Sequence, residues 1–308
     1  MSKFMPFHNA AFSVTVPVLS VLIPFYKESP VALLRALRTC SPQSLEIILL
    51  DDGSNQPELT EAVSQEIAQS PLACELISLA QNEGRARGRN RLTSAARGRY
   101  FLFLDSDMLP DRRDFLDTWL GHCQSLETEV IFGGFSLLQA PATPEFSVHR
   151  AMAGHSDCLE AAKRSLHPEK YVFTSNLLIR RDIFETEGFD ANFTGWGWED
   201  VEWAMRVSSK YRIGHIDNTA THMGLDSAAS LARKYEQSVP NFARVIARHP
   251  HIVAHYPSYK VAKSLSRVPL LAAFRGLIKA LALNSVLPLK LRALSLRLYR
   301  AALYAEVV

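Results

Sequence analysis

Short apolar runs alternate with helical patterns through the first third of the chain. Four of these runs have the length of buried strands: 18–25, 45–50, 74–79 and 100–104. Three stretches between them have helical spacing: 30–39, 58–69 and 88–96. Alternation of this kind predicts βαβ units and a parallel sheet that is buried on both faces. We therefore predict an α/β fold.

The second half of the chain is less regular. Three further strands are predicted, at 130–138, 171–179 and 211–216. Two further helices are predicted, at 180–187 and 200–209. No pattern is clear between residues 139 and 170, so this stretch stays unassigned.

Acidic clusters follow two of the predicted strands directly. The run LEIILL ends on Asp51-Asp52-Gly53-Ser54, and YFLFL ends on Asp105-Ser106-Asp107. Ligands of parallel sheets bind beyond the carboxyl ends of the strands. Two carboxylates at such an end repel each other unless a cation joins them, and Mg²⁺ or Mn²⁺ suits carboxylate oxygens. The alternative is that both clusters are solvated turns.

Two other segments are candidates for chemistry. The segment NEGRARGRN carries three arginines, and a loop entering a helix with such side chains favours a diphosphate. Its alternative is a solvated basic face. The segment TGWGWEDVEWAMR, residues 194–206, places Glu199 and Asp200 where a helix is predicted to begin. Carboxylates there are also ordinary helix-terminal charges.

Composition and charge limit the class of protein. With 308 residues, 47% of them hydrophobic, the chain can bury the core of one large domain or two. Residues from Lys260 onward hold nine of the 34 Lys and Arg residues but one of the 31 acids, a balance of +8 that leaves −5 for the rest. This asymmetry argues against a main body that binds nucleic acid.

The four cysteines show neither metal-ligand nor disulfide spacing, which favours reduced thiols and a cytoplasmic protein. The N-terminus lacks the continuous apolar stretch of a secretory signal. No uncharged apolar run approaches the roughly 18 residues of a spanning helix.

Apolar residues recur at helical spacing in the basic tail, both before and after Pro288. They are Leu270, Phe274, Leu277, Ile278, Leu281, Leu291, Leu294, Leu298 and Ala302. Two interpretations fit equally: the helices pack on the main domain, or they form an interfacial surface for an anionic membrane.

The order of LSVLIPFYKE, LLDDGS, NEGRARGRN and FLFLDSD resembles the nucleotide-binding half of family 2 glycosyltransferases, which have the GT-A fold. The segment NLLIRRDIFETEGFDANFTGWGWEDVEWAMRV resembles their acceptor half. It is most similar to the subgroup whose Gly-Trp-Gly-x-Glu-Asp segment is shared with galactosyl- and N-acetylgalactosaminyltransferases. The resemblance covers about 18–225. It implies a GT-A domain at 1–259 with a mixed central sheet, made of a Rossmann-like nucleotide-sugar-binding half at about 18–107 and an acceptor half at 108–225. The basic helical tail at 260–308 is predicted from its own charge and apolar spacing.

The resemblance also implies site residues. Those for the nucleotide sugar are Pro24, Tyr26, Glu28, Asp52, Gly84, Arg89 and Asp105. Those for the metal, Mn²⁺ or Mg²⁺, are Asp107, His222 and Asp105. His215 competes with His222 but lies in a predicted strand, which favours a structural role. Arg85 and Arg87 depart from the small residues common at their positions.

Sugar and acceptor contacts are expected at Trp196, Gly197, Trp198 and Asn176, because indole rings are flat surfaces on which a sugar can stack. By the resemblance, Asp200 is the general base of an inverting transfer and Glu199 binds a sugar. The expected partners are a UDP-sugar and a glycan or lipid-linked glycan. If the tail forms an interfacial surface, the enzyme lies at the inner face of the cell membrane; if the tail packs on the domain, it is cytoplasmic. The alternatives are a nucleotidyltransferase with the same metal site and a non-catalytic sugar-binding module.

Overall fold

The computed structural model describes residues 6–12, 16–38, 44–125 and 129–308, and within these residues it contains eleven strands and thirteen α-helices. The strands are β1 (Phe7–His8), β2 (Leu19–Phe25), β3 (Leu45–Asp51), β4 (Ala73–Ser78), β5 (Tyr100–Leu104), β6 (Met108–Pro110), β7 (Val130–Phe132), β8 (Phe135–Ser136), β9 (Asn176–Arg180), β10 (Ile213–His215) and β11 (Ala220–His222). The helices are α1 (Val31–Arg38), α2 (Pro57–Ala68), α3 (Arg85–Ala95), α4 (Phe115–Ser125), α5 (Ser147–Ala153), α6 (Ala161–Arg164), α7 (Arg181–Thr186), α8 (Glu199–Ser208), α9 (Ala228–Arg248), α10 (Pro250–Val253), α11 (Pro257–Leu265), α12 (Leu271–Leu283) and α13 (Leu289–Tyr304).

A mixed sheet of eight strands forms the centre of the molecule, in the order β1-β4-β3-β2-β5-β9-β7-β10. Strands β2 to β5 are mutually parallel, whereas β9 runs antiparallel to β5 and β7. The predicted α/β class with a mixed central sheet is confirmed. The apolar runs are buried because helices cover both faces of this sheet.

The pairing of β2 with β3 runs from Leu19 opposite Leu45 to Phe25 opposite Asp51. The two strands therefore end side by side, and the Asp52 amide donates to the Phe25 carbonyl over 2.9 Å. This register brings the first acidic cluster to the carboxyl edge of the sheet, beside the residues that follow β2.

A second sheet of three strands, β6-β11-β8, connects the two halves. Its antiparallel pair sets His222 opposite Met108, so the histidine lies beside the end of the DSD turn. Strand β11 was not predicted. The strand predicted at 130–138 is in fact β7 and β8, which separate at Gly134, where φ is +89°.

Several element boundaries differ from the predictions. Helix α3 begins at Arg85 instead of 88, because Gly84 has a φ of +87° and precedes its first turn. Strand β9 begins at Asn176 instead of 171. The predicted end of the first helix at 39 lies outside the described residues.

Helix α9 was not predicted, although it is the longest helix in the part of the chain that the structure describes. Ser227 caps it by accepting the Ser230 amide, and it continues through Pro240. Together with α8 and α13 it encloses a third apolar core that includes Phe242, Leu296 and Tyr304.

The basic tail is helical, as predicted. Helix α13 packs on α5 and α9, and α12 packs along α13. Helix α12 buries only Ala282 completely. Among the described residues, no helix is both long enough and apolar enough to cross a membrane.

Candidate active site

Asp52 fastens the turn after β3 to the start of α3. Its two carboxylate oxygens accept the backbone N–H groups of Glu83 and Gly84 over 2.8 and 3.0 Å. Burial raises the pKa of this carboxyl, although the two hydrogen bonds oppose that shift. Gly53 allows the approach, because a Cβ there would lie 2.4 Å from the Gln81 carbonyl carbon. The loop that carries the arginine segment is thereby held at the sheet edge.

The residues after β2 form the open side of this edge. Pro24 is half-buried, Tyr26 is exposed, and the Lys27 amide donates to the Ser54 hydroxyl over 2.7 Å. Glu28 is also exposed, and desolvation, reinforced by the nearby Asp107 carboxylate, raises its pKa. An exposed aromatic ring beside buried carboxylates is a suitable surface for a nucleotide base.

Arg89 is the buried cation of the site. Its Nη2 donates to Asp105 Oδ1 over 2.7 Å, and its Nη1 lies 3.7 Å from Glu199 Oε1. Ser175 donates to the other Asp105 oxygen over 2.8 Å. Burial disfavours the charged form of Asp105, but Arg89, Arg85 and Ser175 outweigh it and hold its pKa below the ordinary value.

Two nitrogens of Arg89, Nε and Nη1, are buried and have no hydrogen-bond acceptor among the residues that the structure describes. Such unsatisfied donors are costly, so they indicate a ligand that supplies acceptor oxygens. Arg85, at the start of α3, is exposed and close enough to Asp105 and Glu199 to interact with their charges. Arg87 is exposed on the same helix.

Asp107 and His222 form the second cluster. His222 Nε2 lies 3.1 Å from Asp107 Oδ2. Burial lowers the pKa of His222, but the hydrogen bond to Asp107 reverses this and raises it. Gly224 lies against the same carboxylate, because a Cβ at that position would be 1.8 Å from Asp107 Oδ2.

In the described ranges, no three His, Cys, Asp or Glu side chains are arranged to hold a metal ion. Asp105 does not join Asp107 and His222, since Arg89 and Ser175 engage both of its oxygens. The pair fits a divalent cation with two protein ligands that takes its other ligands from phosphate and water. Five carboxylates interact here with few cations, and this excess of negative charge favours such an ion; they belong to Glu28, Asp105, Asp107, Glu199 and Asp200. His215 is not part of this site: its Nε2 contacts the Pro168 carbonyl, and burial lowers its pKa to about 4.

Asp200 lies in the first turn of α8, next to Glu199. Burial and the Glu199 charge raise the pKa of Asp200 to about 7. A carboxyl group with this pKa can accept a proton near neutral pH. Glu199 is buried against Arg89, so α8 brings Asp200 into the same region as Arg89 and Asp105.

The residues before α8 have an unusual backbone. Trp198 has a positive φ of +75°, and the nearby Gly195 and Gly197 also have positive φ values, +74° and +83°. For a bulky side chain this region is strained and needs support from its surroundings. Asn241 of α9 supplies it, because its Nδ2 donates to the carbonyls of Thr194 and Gly197, both over 2.9 Å.

The two tryptophans are less available than expected. The Trp198 ring lies 4.7 Å from Phe242, and its Nε1 donates to the Tyr304 hydroxyl over 2.9 Å. Trp196 is half-buried beside Tyr235, with Lys234 Nζ 5.8 Å from its ring. Trp198 therefore stabilises the loop that carries it, and the half-buried Trp196 is better placed to contact a sugar.

Asn176 differs from its expected role. It is fully buried, and its Nδ2 donates to the carbonyls of Gly134 and Asn218, both over 2.9 Å. These bonds join β9 to the segments before β8 and β11. The side chain stabilises this junction and does not face the cleft.

Comparison with known proteins identifies the chain. The sequence model of glycosyl transferase family 2 matches residues 20–188, more than half of the chain. The chain belongs to glycosyl transferase family 2. Over 95 residues it is 40% identical to polypeptide N-acetylgalactosaminyltransferase 12 of Mus musculus, covering 29% of this chain and 16% of that protein. Over 283 residues it is 26% identical to validoxylamine A glucosyltransferase of Streptomyces hygroscopicus subsp. limoneus, covering 77% of this chain and 58% of that protein. This glycosyltransferase thus spans less than two thirds of either relative.

Solved structures share the fold of this glycosyltransferase. Mannosyltransferase PcManGT from Pyrobaculum calidifontis, in complex with GDP-Man and Mn²⁺, matches with a TM-score of 0.61 and 19% identity, over 97% of this chain and 89% of that one. S. aureus TarS 1-349 in complex with UDP-GlcNAc matches with a TM-score of 0.53 and 16% identity, over 94% and 90%. The fold is that of GT-A glycosyltransferases, as predicted.

Sequence analysis missed three residues that shape the site of this family 2 enzyme: Ser175, Asn241 and Tyr304. Ser175 immediately precedes a predicted site residue, which was a usable signal. Asn241 and Tyr304 lie outside every motif, and their partners are 47 and 106 residues away. No local pattern could have indicated them.

Proposed function

We propose that this glycosyltransferase moves a hexosyl or N-acetylhexosaminyl group from a UDP-sugar to a hydroxyl group of a glycan or glycolipid. The observation that carries the proposal is the position of Arg89 between Asp105, which follows β5, and Glu199, which precedes Asp200 on α8. One buried cation thereby links the donor side of the cleft to the acceptor side. A sugar held over this link has a diphosphate at one end and a candidate base at the other.

Several contacts support a nucleotide-sugar donor. Tyr26 is exposed at the sheet edge, where its ring is available for stacking on the base. Asp52 and Gly84, which are hydrogen-bonded to each other, lie at the same edge, because the Asp52 amide bonds to the Phe25 carbonyl. The unsatisfied Nε and Nη1 of Arg89 are suited to diphosphate oxygens. The fold neighbour TarS binds UDP and UDP-GlcNAc, which favours uridine as the nucleoside.

Asp107 and His222 are the residues that would hold Mn²⁺ or Mg²⁺. When bound, this ion supplies positive charge that neutralises the departing diphosphate. Asp105, which is held by Arg89 and Ser175, would contact the ribose and the sugar of the donor. The fold neighbour PcManGT is in complex with Mn²⁺, which supports metal use here.

The transfer is a single displacement. The acceptor hydroxyl oxygen forms a bond to the anomeric carbon, while the bond from that carbon to the diphosphate oxygen breaks and its electron pair leaves with UDP. The hydroxyl proton passes to Asp200, whose raised pKa of about 7 suits a general base. Attack from the face opposite the leaving group inverts the anomeric configuration. Glu199 and Trp196 hold the sugars in place.

The experiment is UDP release from a panel of UDP-sugars, with and without Mn²⁺, in the wild type and in Asp107→Ala. Asp114→Ala is the matched control, because Asp114 is an exposed carboxylate paired only with Arg112 on the surface. We expect Mn²⁺-dependent release that Asp107→Ala loses and Asp114→Ala keeps. Undiminished Mn²⁺-dependent release by Asp107→Ala would contradict the metal assignment. Release from none of the donors would contradict the proposed donor class.

A further inference from the structure

Helix α12 has its charged and apolar faces reversed relative to a helix on the surface of a water-soluble domain. Its outward residues Leu270, Phe274 and Leu277 are 75%, 54% and 59% exposed, and Leu281 continues the row. Its two cations point inward, where Arg275 pairs with Glu306 and Lys279 Nζ lies 2.6 Å from Glu236 Oε1. At 3.6 residues per turn, the apolar row and the cations lie on nearly opposite sides of the helix.

Helix α13 extends the apolar surface. Leu291, Leu294 and Leu298 are exposed on one side, whereas Leu296 and Tyr299 are buried on the other. Tyr299 donates to Glu236 over 2.6 Å, so α12 and α13 both turn their inner sides to the same residue of α9. Their outer sides therefore point away from α9 together.

Exposed apolar residues are concentrated on the hairpin formed by α12 and α13 and on α11 before it. Of the 16 large hydrophobic residues that are exposed in the described chain, 11 lie between 261 and 298. Single exposed leucines are normal, but a contiguous patch of this kind marks a contact surface.

The charge around the patch selects the kind of partner. Residues 260–305 contain no acid, and five of their basic residues are exposed: Lys260, Lys263, Arg267, Lys290 and Arg297. Residues 1–259 carry a net charge of −5. An apolar surface with a basic border is complementary to an anionic bilayer, where leucines enter the acyl region and cations meet the headgroups.

We infer that the outer face of α12 and α13 docks on the surface of an anionic phospholipid bilayer. The helices lie in the interface, since none in the described part of the chain is suited to span it. Tyr304, on the inner side of α13, bonds to Trp198 of the loop that precedes Glu199 and Asp200. One hydrogen bond thus links the docking hairpin to the loop that begins α8. Resting on the proposed function, this position favours an acceptor whose glycan is anchored to lipid.

The test is flotation of the full chain with phosphatidylcholine vesicles, with and without phosphatidylglycerol. The variant is Phe274→Glu with Leu277→Glu, and the matched control is Leu138→Glu with Leu166→Glu, two exposed leucines outside the hairpin. We expect the wild type and the control to float with anionic vesicles and the α12 variant to lose binding by about tenfold or more. Lys290→Glu with Arg297→Glu should lose the preference for phosphatidylglycerol, which separates charge from apolar burial.

Equal flotation of the wild type and the α12 variant would overturn the inference. So would a wild-type dimer that Phe274→Glu with Leu277→Glu converts to a monomer, without vesicle binding by either, because a second copy would then cover the patch. Thermal stabilisation by UDP with Mn²⁺ is measured on every variant and should not change. If UDP with Mn²⁺ did not stabilise the wild type, that result would contradict the proposed function but would not change the conclusion from flotation.

Discussion

Asp200 combines a carboxyl group with an environment that resists its ionisation. Burial and the Glu199 charge raise its pKa from 3.8 to about 7, so it is protonated in mild acid and ionised above neutrality. A general base acts only in its ionised form. We therefore expect kcat/KM to rise about tenfold per pH unit below 7 and to level off above it. Asp200→Asn should lose at least about 10²-fold and lose this pH dependence.

The raised pKa of Asp200 also predicts that the stability of the fold falls as pH rises, whereas activity increases. A carboxyl with a raised folded-state pKa contributes stability that is full below the unfolded pKa of 3.8 and is lost as pH rises through 7. Asp200→Asn has no charge to desolvate, so it should melt at or above the wild-type temperature at pH 8. Thermal unfolding at pH 5 and pH 8 checks this. If Glu199→Gln were inactive and Asp200→Asn nearly normal, Glu199 would be the general base and Asp200 would bind the sugar.

Gly224 controls the position of a proposed metal ligand. A Cβ at this position would lie 1.8 Å from Asp107 Oδ2 and 2.9 Å from its Cγ, so Gly224→Ala must displace the carboxylate from His222. We expect Mn²⁺-dependent UDP binding to weaken about 10–100-fold, the usual effect of misplacing a ligand. Gly121→Ala is the control, because nothing lies within 4 Å of its added Cβ. Titration calorimetry with unchanged affinity in Gly224→Ala would remove Asp107 from the metal site.

At the scale of elements, α13 connects the C-terminal tail to the loop at 194–198 that precedes Glu199 and Asp200. The Tyr304 hydroxyl lies between Trp198 Nε1, at 2.9 Å, and Ser238 Oγ, at 2.7 Å. Tyr304→Phe leaves the indole N–H without its partner, which should lower the free energy of unfolding by about 1–3 kcal/mol. Since the loop leads directly into Asp200, we also expect kcat to fall about tenfold through misplacement of the base.

Tyr299→Phe separates the positioning effect from a general loss of stability. Tyr299 lies on the same helix, but its hydroxyl donates to Glu236 over 2.6 Å and not to the loop. It should lower the melting temperature without lowering kcat. Parallel losses of kcat in both variants would mean that α13 acts on activity only through overall stability.

Local patterns sufficed to predict elements whose burial is complete. Strands β2, β3 and β5 are continuous apolar runs, because helices cover both faces of their sheet, and their observed bounds differ by at most one residue from the prediction. Strand β11 has three residues and exists because β6 and β8 pair with it on either side. That pairing is set by the tertiary structure, so periodicity could not reveal it. Helix α9 contains Pro240, a residue that ordinarily argues against a helix interior.

The residues of the site show the same distinction between local patterns and tertiary contacts. Motifs at strand ends and at the start of α8 could indicate Asp52, Asp107 and Asp200, because each follows or begins a regular element. The bond from Arg89 to Asp105 and the one from Tyr304 to Trp198 join separate segments. Asn176 shows the converse limit: a polar residue beside the expected site is buried to hold the sheets together. Side-chain direction at such positions depends on the assembled core.

At the scale of the whole molecule, the tail has two roles on opposite sides, and removing it should affect both. A chain ending at Tyr259 loses Leu296, Tyr299, Leu303 and Tyr304 from the third core, all of them buried. Each such side chain contributes about 1.5–3 kcal/mol by burial, so the four together are comparable to the whole free energy of unfolding of a domain, about 5–15 kcal/mol. We expect the truncated chain to be insoluble or to unfold well below the wild-type temperature.

Point changes on the outer face should behave differently, because Phe274 and Leu277 are exposed and leave the third core intact. Their glutamate variants should melt within a few degrees of the wild type, since surface substitutions usually change stability by less than about 0.5 kcal/mol. Thermal unfolding of the truncated chain beside these variants compares the two sides of the hairpin directly. A soluble chain ending at Tyr259 that unfolds at the wild-type temperature and keeps its turnover would show that neither the core nor the loop depends on α13. The membrane-docking face would then belong to a segment that the rest of the fold does not need, and the hydrogen bond from Trp198 to Tyr304 would have no part in catalysis.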